Sequence, residues 1–557
     1  MTPDELASAI TACLRDAVAA GQTSLPAEAV PTTVRVERPK NRDHGDWSTN
    51  VAMQLAKKAG QNPRELATVL AERLAATPGV AGADVAGPGF LNITLDAASA
   101  GELARTIVEA GTAYGRGDAL AGHTVNLEFI SANPTGPLHI GHTRWAALGD
   151  ALRRLLAAAG ASVTSEYYIN DAGAQMDKFG ASIIAKLTGE EVPEGGYPGE
   201  YVEELARQAL ARRPDLLELN ATDHDAAVAL ARDLGYELQL AHIRDTLVDF
   251  GVSFDVWFSE KTLHESGAVS AAIDRLREQG HVFESDGAIW LRTTTFGDDK
   301  DRVLIRADGV PTYFAADAAY YLSKKDRGFP EKVYMLGADH HGYVNRLKAI
   351  AACAGDDPEV NIEVLIGQLI NIAGVRMGKR KGNALYLTDL IEDIGTDPVR
   401  YSMARYPADS PLSLDGEEMR RRTNDNPVFY VQYAHARTCN VARLAAGDDV
   451  RRADGFDPAL LTHETESALL AILGDYPRIV AQAAALREPH RVARYLEDLA
   501  ARYHKWYDEC RVRPALVDDE PEPVTDLHRT RLWLNDATRQ VLANGLDLLG
   551  VSAPEQL

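Results

Sequence analysis

Hydrophobic and polar positions follow two different spacings in the N-terminal part of the chain. Apolar residues recur every three or four positions from Leu6 to Leu14, a spacing that predicts an amphipathic helix. Shorter runs alternate polar and apolar residues at Thr33–Glu37 and at Gly89–Leu95, which predicts two strands. We therefore expect residues 1 to about 115 to form a small α+β domain.

Beyond this region, strand patterns alternate with helical ones. A helical pattern occupies Gly141–Ala159, directly after a strand-like run. The strand-like runs are Thr124–Ile130, Ser162–Ile169, Lys332–Leu336 and Glu363–Ile366. Alternation of this kind predicts βαβ units that build a parallel sheet. Residues from about 170 to 265 have a helical pattern, and we interpret them as an insertion into a domain that spans 116–410.

The last part of the chain, residues 411–557, is dominated by helical spacing. Apolar residues recur at three- and four-residue intervals through His463–Gln482 and Glu488–Arg511. We therefore predict an all-helical C-terminal domain. Because a single hydrophobic core rarely serves more than about 250 to 300 residues, a chain of 557 residues is expected to fold as several domains.

The composition is that of an ordinary globular protein, with 45% hydrophobic and 25% charged residues. The four cysteines lie far apart and form no C-x-x-C pair, which excludes a disulfide-dense scaffold and a zinc site built mainly from cysteine. The uncharged apolar stretch Val364–Val375 is shorter than the roughly 20 residues that a membrane span needs. The N-terminus opens with acidic residues and has no apolar signal-peptide core, so we expect a cytoplasmic protein without membrane association.

The charge balance bears on possible partners. The chain has 58 basic and 81 acidic residues, a formal net charge of −23. This argues against non-specific binding to nucleic acid, because Lys and Arg contacts to phosphate supply most of that affinity. A specific nucleic-acid partner that meets a local basic patch is still compatible with this charge.

The segment Ser131–His142 carries the strongest chemical signal. A strand leads into it and a helix leaves it, and a helix N-terminus directs free N–H groups towards anions such as phosphate. The imidazoles of His139 and His142 can reach the same phosphate group, and Gly141 between them leaves room for a flat base. This arrangement predicts a nucleotide site.

The segment Val125–Arg144 resembles the HIGH motif of class I aminoacyl-tRNA synthetases, in the form found in the arginyl-tRNA synthetase family. His44–Asn50 is similar to the N-terminal tRNA-binding domain of that family. Four more segments agree in order and spacing: Glu166–Gln175, Asp308–Asp317, Arg376–Asn383 and Asn426–Arg437. The resemblance covers essentially the whole chain. It implies a Rossmann-type catalytic domain with an N-terminal α+β domain and a C-terminal helical anticodon-binding domain.

The segment Arg376–Asn383 resembles the second class I signature, KMSKS. Lys379 stands at the position of its second lysine, and Gly378 replaces its serine. A basic, glycine-flanked loop can neutralise the charge of a leaving pyrophosphate. The resemblance implies that Met377 and Lys379 contact ATP, and that Lys379 acts with His139 and His142 in catalysis.

Substrate choice can be argued from charge. A guanidinium group bound in a pocket needs carboxylates, which it meets in bidentate geometry. Glu128 lies on the strand that enters the HIGH segment, and Asp317 follows Tyr313 by four residues, so that both project from one helix face. The resemblance implies that these three residues bind the guanidinium group of arginine, while Ser131 and Asn133 hold its backbone end.

The remaining site residues follow from the resemblance alone. Gly337, Asp339 and His341, after a predicted strand, are expected to line the ATP site around the ribose. Towards tRNA, the candidates are Tyr430, Tyr433, Arg437, Phe90 and Asn92. Arg420–Arg422 is a further hypothetical contact. The family often ends in Arg-Met, whereas this chain ends in Gln556-Leu557, so a contact by a terminal Arg is not expected here.

The resemblance implies an arginine–tRNA ligase reaction with L-arginine, ATP complexed with Mg²⁺, and tRNA(Arg). We expect a monomer without zinc, another bound metal or an organic cofactor. A small-molecule adenylating enzyme would share the nucleotide site but is expected to lack both flanking domains. A non-catalytic RNA-binding relative would lose His139, His142 or Lys379, and all three are present. A class I synthetase for another amino acid is the nearest alternative, although the cysteine enzyme is expected to carry zinc-ligand cysteines.

Overall fold

The computed structural model of the protein describes residues 3–39, 44–375, 384–517 and 520–557. The helices are α1 (Pro3–Ala19), α2 (Val51–Ala59), α3 (Pro63–Ala75), α4 (Ala97–Ala110), α5 (Ile140–Ala158), α6 (Ala174–Thr188), α7 (Glu200–Arg212), α8 (Leu216–Thr222), α9 (His224–Asp249), α10 (Lys261–Glu265), α11 (Ala268–Glu278), α12 (Tyr313–Asp326), α13 (Val344–Cys353), α14 (Leu387–Asp393), α15 (Thr396–Ala404), α16 (Gly416–Arg420), α17 (Pro427–Gly447), α18 (Glu464–Ala485), α19 (His490–Glu509) and α20 (Asp526–Leu548).

The strands form separate sheets. They are β1 (Trp47–Thr49), β2 (Val80–Ala86), β3 (Phe90–Leu95), β4 (Thr124–Glu128), β5 (Ser162–Ile169), β6 (Val256–Ser259), β7 (Val282–Ser285), β8 (Ala288–Leu291), β9 (Arg302–Ile305), β10 (Glu331–Gly337), β11 (Ile362–Gly367), β12 (Ile370–Ala373), β13 (Leu412–Asp415), β14 (Leu516–Val517) and β15 (Glu520–Pro521).

A five-stranded parallel sheet forms the centre of the molecule, with the order β11-β10-β4-β5-β6. The predicted parallel sheet and its strands β4, β5, β10 and β11 are confirmed. The chain continues from β4 to β5 and β6 on one side, whereas β10 and β11 lie on the other side. The strand order therefore reverses between β4 and β10, and ligands of open α/β sheets bind at the carboxyl ends of the strands flanking such a reversal.

The predicted helical insertion is shorter than expected. Helices α6 to α9 pack into a hydrophobic cluster of their own, which ends within α9. The next strand, β6, belongs to the central sheet, where it pairs with β5. The prediction that residues up to about 265 are inserted is therefore wrong, because a four-residue strand carries too little periodic signal to stand out after a long helix.

A three-stranded antiparallel sheet, β7-β8-β9, was not predicted. Its first turn is Asp286-Gly287, and both residues have a positive φ, 53° and 76°. This is the geometry of a two-residue hairpin turn, for which Asp-Gly is one of the preferred sequences. The Asp-Gly pair between two short apolar runs is the sequence signal that would have identified the hairpin.

The N-terminal unit packs α1 to α3 against a sheet with the order β1-β3-β2. The predicted strand at Gly89–Leu95 is confirmed as β3. The predicted strand at Thr33–Glu37 is wrong, because among the described residues the only pairing of this segment is an isolated bridge between Glu37 and Ser48. The buried core of this unit ends at Leu95, and the buried face of α4 joins the core of the C-terminal helices. The boundary between the two hydrophobic cores therefore lies before α4, earlier than the predicted domain boundary at residue 115.

The C-terminal part consists mainly of helices α17 to α20, as predicted. It is not helical from residue 411 onward, because β13 pairs in parallel with β12, and β14 pairs with β15. Buried residues of these helices continue without a break into the core beneath the central sheet. The helical part and the sheet therefore share one hydrophobic core.

A buried ion pair joins three regions behind the central sheet. Arg400 on α15 donates to the carboxylate of Asp150 on α5 at 2.6 Å, and both side chains are fully buried. Arg400 also donates to the carbonyl oxygens of Phe250 at 2.8 Å and Leu549 at 3.2 and 3.3 Å. A Cβ atom at Gly550, where φ is 64°, would collide with the guanidinium group. The geometry of this junction therefore requires glycine at that position.

The variant Asp150→Asn would leave the guanidinium group of Arg400 buried without a charged partner. We expect it to lower the midpoint of thermal unfolding, with a loss of about 3 kcal/mol in stability, as for other broken buried pairs. The matched control is Asp547→Asn, because Asp547 pairs with Arg154 at 3.1 Å but is 59% exposed. The control should cost less than about 1 kcal/mol. Equal losses of stability in the two variants would show that burial adds nothing to the contribution of the Asp150–Arg400 pair.

Candidate active site

The site begins where β4 ends. Two consecutive residues, Ile130 and Ser131, have positive φ values of 70° and 44°, which are unfavourable for residues other than glycine. Hydrogen bonds hold this turn: the Ser131 hydroxyl donates to Glu128 Oε1 at 3.1 Å and accepts the N–H of Tyr168 at 3.1 Å. Strain of this kind persists where surrounding contacts fix it, and it is concentrated at functional sites. The turn brings Ser131 next to Glu128, while Asn133 is exposed.

The two predicted histidines meet at the start of α5. Nδ1 of His139 accepts the N–H of Gly141 at 3.1 Å, and Nδ1 of His142 accepts the N–H of His139 at 3.2 Å. The rings stack with their centroids 3.7 Å apart. Burial lowers the pKa of both imidazoles, that of His142 to about 3, where nearby His139 adds to the effect. Both rings are therefore neutral at pH 7 with the proton on Nε2, which can donate to a phosphate oxygen.

A cavity of about 700 Å³ opens beside His139. The segment that follows residue 383 is fastened to the start of α5, because the N–H of Ile140 donates to Leu385 at 3.0 Å. Val375 and Ala384, which flank the second signature segment, both line this cavity. The predicted ATP contacts Met377 and Lys379 lie outside the described residues.

A second cavity, of about 790 Å³, lies at the end of β5 and β6. Tyr313, the first residue of α12, lines it and is 70% exposed. Asp317 lies one helical turn further on and accepts a hydrogen bond from Tyr343. Burial, together with the charges of Glu260 and Glu128, raises the pKa of Asp317 to about 7.

Glu260 is a site residue that the sequence analysis missed. It follows β6, lines the second cavity and is almost fully buried. Burial raises its pKa to about 7, with Asp171 adding to the effect and a hydrogen bond from Tyr168 opposing it. The residue was overlooked because β6 was assigned to the helical insertion. Recognising β6 as a sheet strand would have located an acidic residue at its carboxyl end.

Asp171 fixes the backbone next to Glu260. Its carboxylate accepts the N–H of Lys261 at 3.0 Å, the hydroxyl of Ser259 at 2.6 Å and the hydroxyl of Tyr236 at 3.0 Å. Asp171 therefore ties the end of β6 and the inserted helix α9 to the cavity wall.

The end of β10 supplies the other predicted nucleotide residues. Gly337 is the last residue of the strand, and a six-residue 3₁₀-helix follows at Ala338–Tyr343. A Cβ atom at Gly337 would lie 2.6 Å from Asp339 Oδ1, the tip of an exposed side chain that can turn away into solvent. Asp339 and His341 are exposed at this edge. Since β10 pairs with β4, these residues lie beside the end of the strand that leads, through the turn at Ile130 and Ser131, to His139 at the start of α5.

The predicted Tyr430, Tyr433 and Arg437 meet on α17 and are half-buried. The Arg437 guanidinium donates to the Tyr433 hydroxyl at 2.7 Å and lies 4.7 Å from the centre of that ring. From α19, the Tyr507 ring faces it at 4.8 Å, and His504 Nδ1 is 3.1 Å away. This aromatic and basic cluster spans two helices and is partly open to solvent.

On the N-terminal sheet, Phe90 and Asn92 share the outer face of β3. Phe90 is 38% exposed and Asn92 is half-buried, whereas Leu91 and Ile93 are fully buried on the opposite face. The alternation of strand residues thus separates these two side chains from the core.

The hypothesis for Arg420–Arg422 needs a correction at its first residue. Arg420 is half-buried, pairs with Asp393 at 2.5 Å and donates to the carbonyl of Gly374 at 3.0 Å. Its guanidinium group therefore has a structural role, and the exposed members of the run are Arg421 and Arg422.

Two kinds of feature are absent from the described residues. No helix among them is both long and apolar enough to cross a membrane. Within the same residues, no group of three or more His, Cys, Asp or Glu side chains is placed to hold a metal ion.

Three family models match the chain. They are the arginyl tRNA synthetase N terminal domain at residues 4–95, the tRNA synthetases class I (R) catalytic domain at 107–194 and 225–403, and the DALR anticodon binding domain at 431–557. The gap in the second match, 195–224, falls within the inserted helices.

Full-length relatives agree with these matches. The chain is 65% identical over 561 residues to an arginine–tRNA ligase of Pseudarthrobacter chlorophenolicus and 65% identical over 557 residues to one of Paenarthrobacter aurescens. Both alignments cover 100% of each chain. The fold matches that of Thermus thermophilus arginyl-tRNA synthetase with a TM-score of 0.73, at 24% identity and with 100% of both chains covered. The chain belongs to the arginyl-tRNA synthetase family of class I aminoacyl-tRNA synthetases.

Proposed function

We propose that the protein attaches L-arginine to tRNA(Arg) in two steps. The carboxylate of arginine attacks the α-phosphate of ATP, supplied with Mg²⁺, and arginyl-adenylate and pyrophosphate form. The 2′-hydroxyl of the terminal tRNA adenosine then takes the arginyl group and AMP leaves. Neither step requires a protein nucleophile, so positioning and stabilisation of phosphate charge carry the catalysis.

The nucleotide binds across the ends of β4 and β10. The Nε2–H groups of His139 and His142 donate to phosphate oxygens, and Gly141 admits the nucleotide close to the backbone. Gly337, Asp339 and His341 meet the ribose from the end of β10. Met377 and Lys379 approach the phosphates from the second signature segment, and this part of the proposal rests on the resemblance alone.

Arginine binds with its two ends on different sets of residues. Asp317 and Glu260 attract the guanidinium group, since burial has raised their pKa values and a bound cation would let both ionise. Glu128 and Tyr313 complete the guanidinium contacts. Ser131, whose hydroxyl donates to Glu128, holds the backbone end of the substrate together with Asn133.

The tRNA meets the outer domains. Tyr430, Tyr433 and Arg437 offer stacking faces and a cation for unpaired bases of the anticodon region. Phe90 and Asn92 offer a smaller contact for the tRNA elbow. We further propose that the protein acts as a monomer in the cytoplasm, with functional boundaries near residues 115 and 410.

The observation that carries this proposal is the pair of carboxyl groups at the second cavity, the half-buried Asp317 and the buried Glu260, whose pKa values are both raised to about 7. The deciding experiment is the ATP-dependent attachment of radiolabelled arginine to total bacterial tRNA, with lysine and cysteine in parallel. Attachment of arginine alone supports the proposal. Attachment of another amino acid, or of none, overturns it.

Substitutions of His139 separate its two roles. In His139→Asn, the side-chain oxygen can still accept the Gly141 N–H, but the phosphate donor at Nε2 is lost. We expect arginine activation to fall about 100-fold, the cost of removing one transition-state donor, while the unfolding midpoint stays within a degree or two. In His139→Gln, the amide N–H₂ reaches the Nε2 position, so this variant should retain more activity. An equal rate in both variants would contradict a phosphate contact through Nε2.

Arginine binding should depend on pH. Because Asp317 and Glu260 have pKa values of about 7 in the empty site, both hold protons below pH 7, and the guanidinium group must displace them. We expect the Kd for arginine to rise by roughly tenfold or more from pH 8 to pH 6, with proton release on binding.

Calorimetry in buffers of different ionisation enthalpy measures the released protons directly. Glu260→Gln should reduce their number and weaken binding. The control Glu265→Gln, an exposed carboxylate one turn along α10, should change neither quantity. Binding without proton release at pH 6.5 would count against both carboxyl groups.

The cluster on α17 is expected to contribute to tRNA binding. Arg437→Gln removes the cation between Tyr433 and Tyr507 and should raise the KM for tRNA about tenfold, with the KM for arginine unchanged. The matched control is Arg443→Gln on the same helix. Arg443 is exposed, and within the described residues its guanidinium group donates a hydrogen bond only to Asn440. If the two variants gave the same KM for tRNA, the cluster would have no specific part in binding.

A further inference from the structure

The loop that leads from β4 into α5 is held firmly at both of its ends. At its start, the hydroxyl of Ser131 makes the two hydrogen bonds that fix the turn after β4. At its end, the carbonyl oxygen of Leu138 accepts the N–H of Leu387 at 2.8 Å. Residues 133–137 lie between these two anchors and determine the direction in which the chain enters His139 and the helix.

This middle stretch of the loop has little hydrogen bonding of its own. Pro134 and Pro137 have no N–H group, and Thr135 between them is buried. Within the described residues, one hydrogen bond joins the stretch to another element: the carbonyl oxygen of Thr135 accepts the hydroxyl of Tyr201 at 2.9 Å. Because a buried carbonyl group without a partner is costly, this bond stabilises one path of the loop.

Tyr201 belongs to the inserted helices and not to the central sheet. It is the second residue of α7, which packs Val202 and Leu205 into the hydrophobic cluster of the insertion. It lies in the stretch 195–224, which the catalytic-domain family model does not match. Its side chain nevertheless lines the cavity beside His139. A residue from outside the sheet therefore reaches the phosphate-binding end of α5.

The side chain of Tyr201 fits closely between its neighbours. A Cβ atom at Gly136 would lie 3.2 Å from its hydroxyl oxygen, and one at Gly199 would lie 2.6 Å from its ring. Burial raises the pKa of the hydroxyl above its usual range, with smaller effects from Tyr386 and Tyr197. The group is therefore protonated near pH 7 and donates its hydrogen bond from one fixed place.

The segment that carries Tyr201 is itself attached to the rest of the insertion and to the sheet. Ahead of α7, the N–H of Tyr197 donates to the Ser182 hydroxyl on α6 at 2.9 Å. At the base of the insertion, the hydroxyl of Tyr236 on α9 donates to Asp171, just after β5, at 3.0 Å. The position of the Tyr201 hydroxyl is thus set by the packing of the inserted helices on the catalytic domain.

We propose that Tyr201 is a positioning residue for the nucleotide-binding loop. By holding the carbonyl group of Thr135, it fixes the path of the chain into α5, so that the Nε2–H groups of His139 and His142 face the phosphates of ATP. Tyr201 acts through these two histidines, and the inserted helices thereby contribute to the activation of arginine. This inference rests on the proposed arginine–tRNA ligase function.

The test is Tyr201→Phe, which removes the hydroxyl group and keeps the ring. In ATP–pyrophosphate exchange with tRNA present, we expect kcat to fall roughly three- to tenfold, the weight of one neutral hydrogen bond. The KM for arginine should not change, because the arginine cavity keeps all its residues. A purely structural role would instead lower the midpoint of thermal unfolding and leave kcat of the folded enzyme as it is.

The matched control is Tyr197→Phe, four residues earlier in the same insertion. Among the described residues, its hydroxyl takes part in no hydrogen bond, and only its backbone N–H does. The control removes the same atom from the same segment, so both kcat and the unfolding midpoint should remain those of the wild type.

A double variant tests whether Tyr201 acts through His139. Once His139→Asn has removed the phosphate donor, the exact path of the loop matters less. Adding Tyr201→Phe should therefore lower kcat by a smaller factor than Tyr201→Phe does in the wild type. If the two losses multiplied in full, Tyr201 would act independently of His139, and the inference would be overturned.

Other outcomes are equally decisive. A Tyr201→Phe enzyme with the wild-type kcat would overturn the inference, as would an equal fall in kcat in Tyr197→Phe. A higher KM for arginine at unchanged kcat would also overturn it, because the effect would then lie at the other cavity. A wild-type protein that does not activate arginine at all would instead overturn the proposed function on which the inference rests.

Discussion

The buried ion pair between Asp150 and Arg400 determines where helix α5 lies, and the candidate site depends on that helix. A salt bridge removed from water stabilises a protein only when the remaining donors of the cation are also satisfied. Here the Arg400 guanidinium meets this condition through the carbonyl groups of Phe250 and Leu549. The Arg400 guanidinium group thereby fixes three elements to one another: the end of α9, the end of α20 and the middle of α5. Because α5 begins beside His139, a displacement of the C-terminal helices would strain the phosphate-binding end of the same helix.

Charge compensation also organises the site itself. Glu128 and Glu166 lie on adjacent strands, and each has a dedicated cation from α12 or just beyond it. Within the described residues, Asp317 has no Lys or Arg partner and Glu260 has only His264, at 3.7 Å, and burial raises the pKa of both carboxyl groups to about 7. In the proposed function, the guanidinium group of arginine is exchanged for protons on these carboxyl groups, whereas a neutral side chain of the same size would displace none.

The parts of this arrangement differ in how far the sequence predicts them. Strands β4, β5, β10 and β11 have continuous apolar patterns, so the sequence predicts both these strands and the candidate site residues that follow them. Strand β6 has four half-buried residues after a 26-residue helix, so both it and Glu260 were missed. Lys324 looks like an exposed helix lysine in the sequence. Only the packing of α12 against β4 and β10 reveals that it is buried against Glu128 and Tyr334. Arg420 likewise looks like part of an exposed basic run in the sequence. Only the structure shows that it pairs with Asp393.

The net charge of −23 constrains how such a protein can bind tRNA. Surface arginines such as Arg451 and Arg529 pair with neighbouring carboxylates, which offsets the attraction they could exert on phosphate. Arg437 is held instead by Tyr433, Tyr507 and His504, groups that leave its charge uncancelled and present flat rings to a base. In the proposed function, the net negative charge opposes the approach of nucleic acid at long range, and stacking of unpaired bases on this cluster favours binding at close range. The affinity for tRNA should therefore depend on the shape of unpaired nucleotides more than on phosphate contacts, which favours one tRNA over the many other RNAs of a cell.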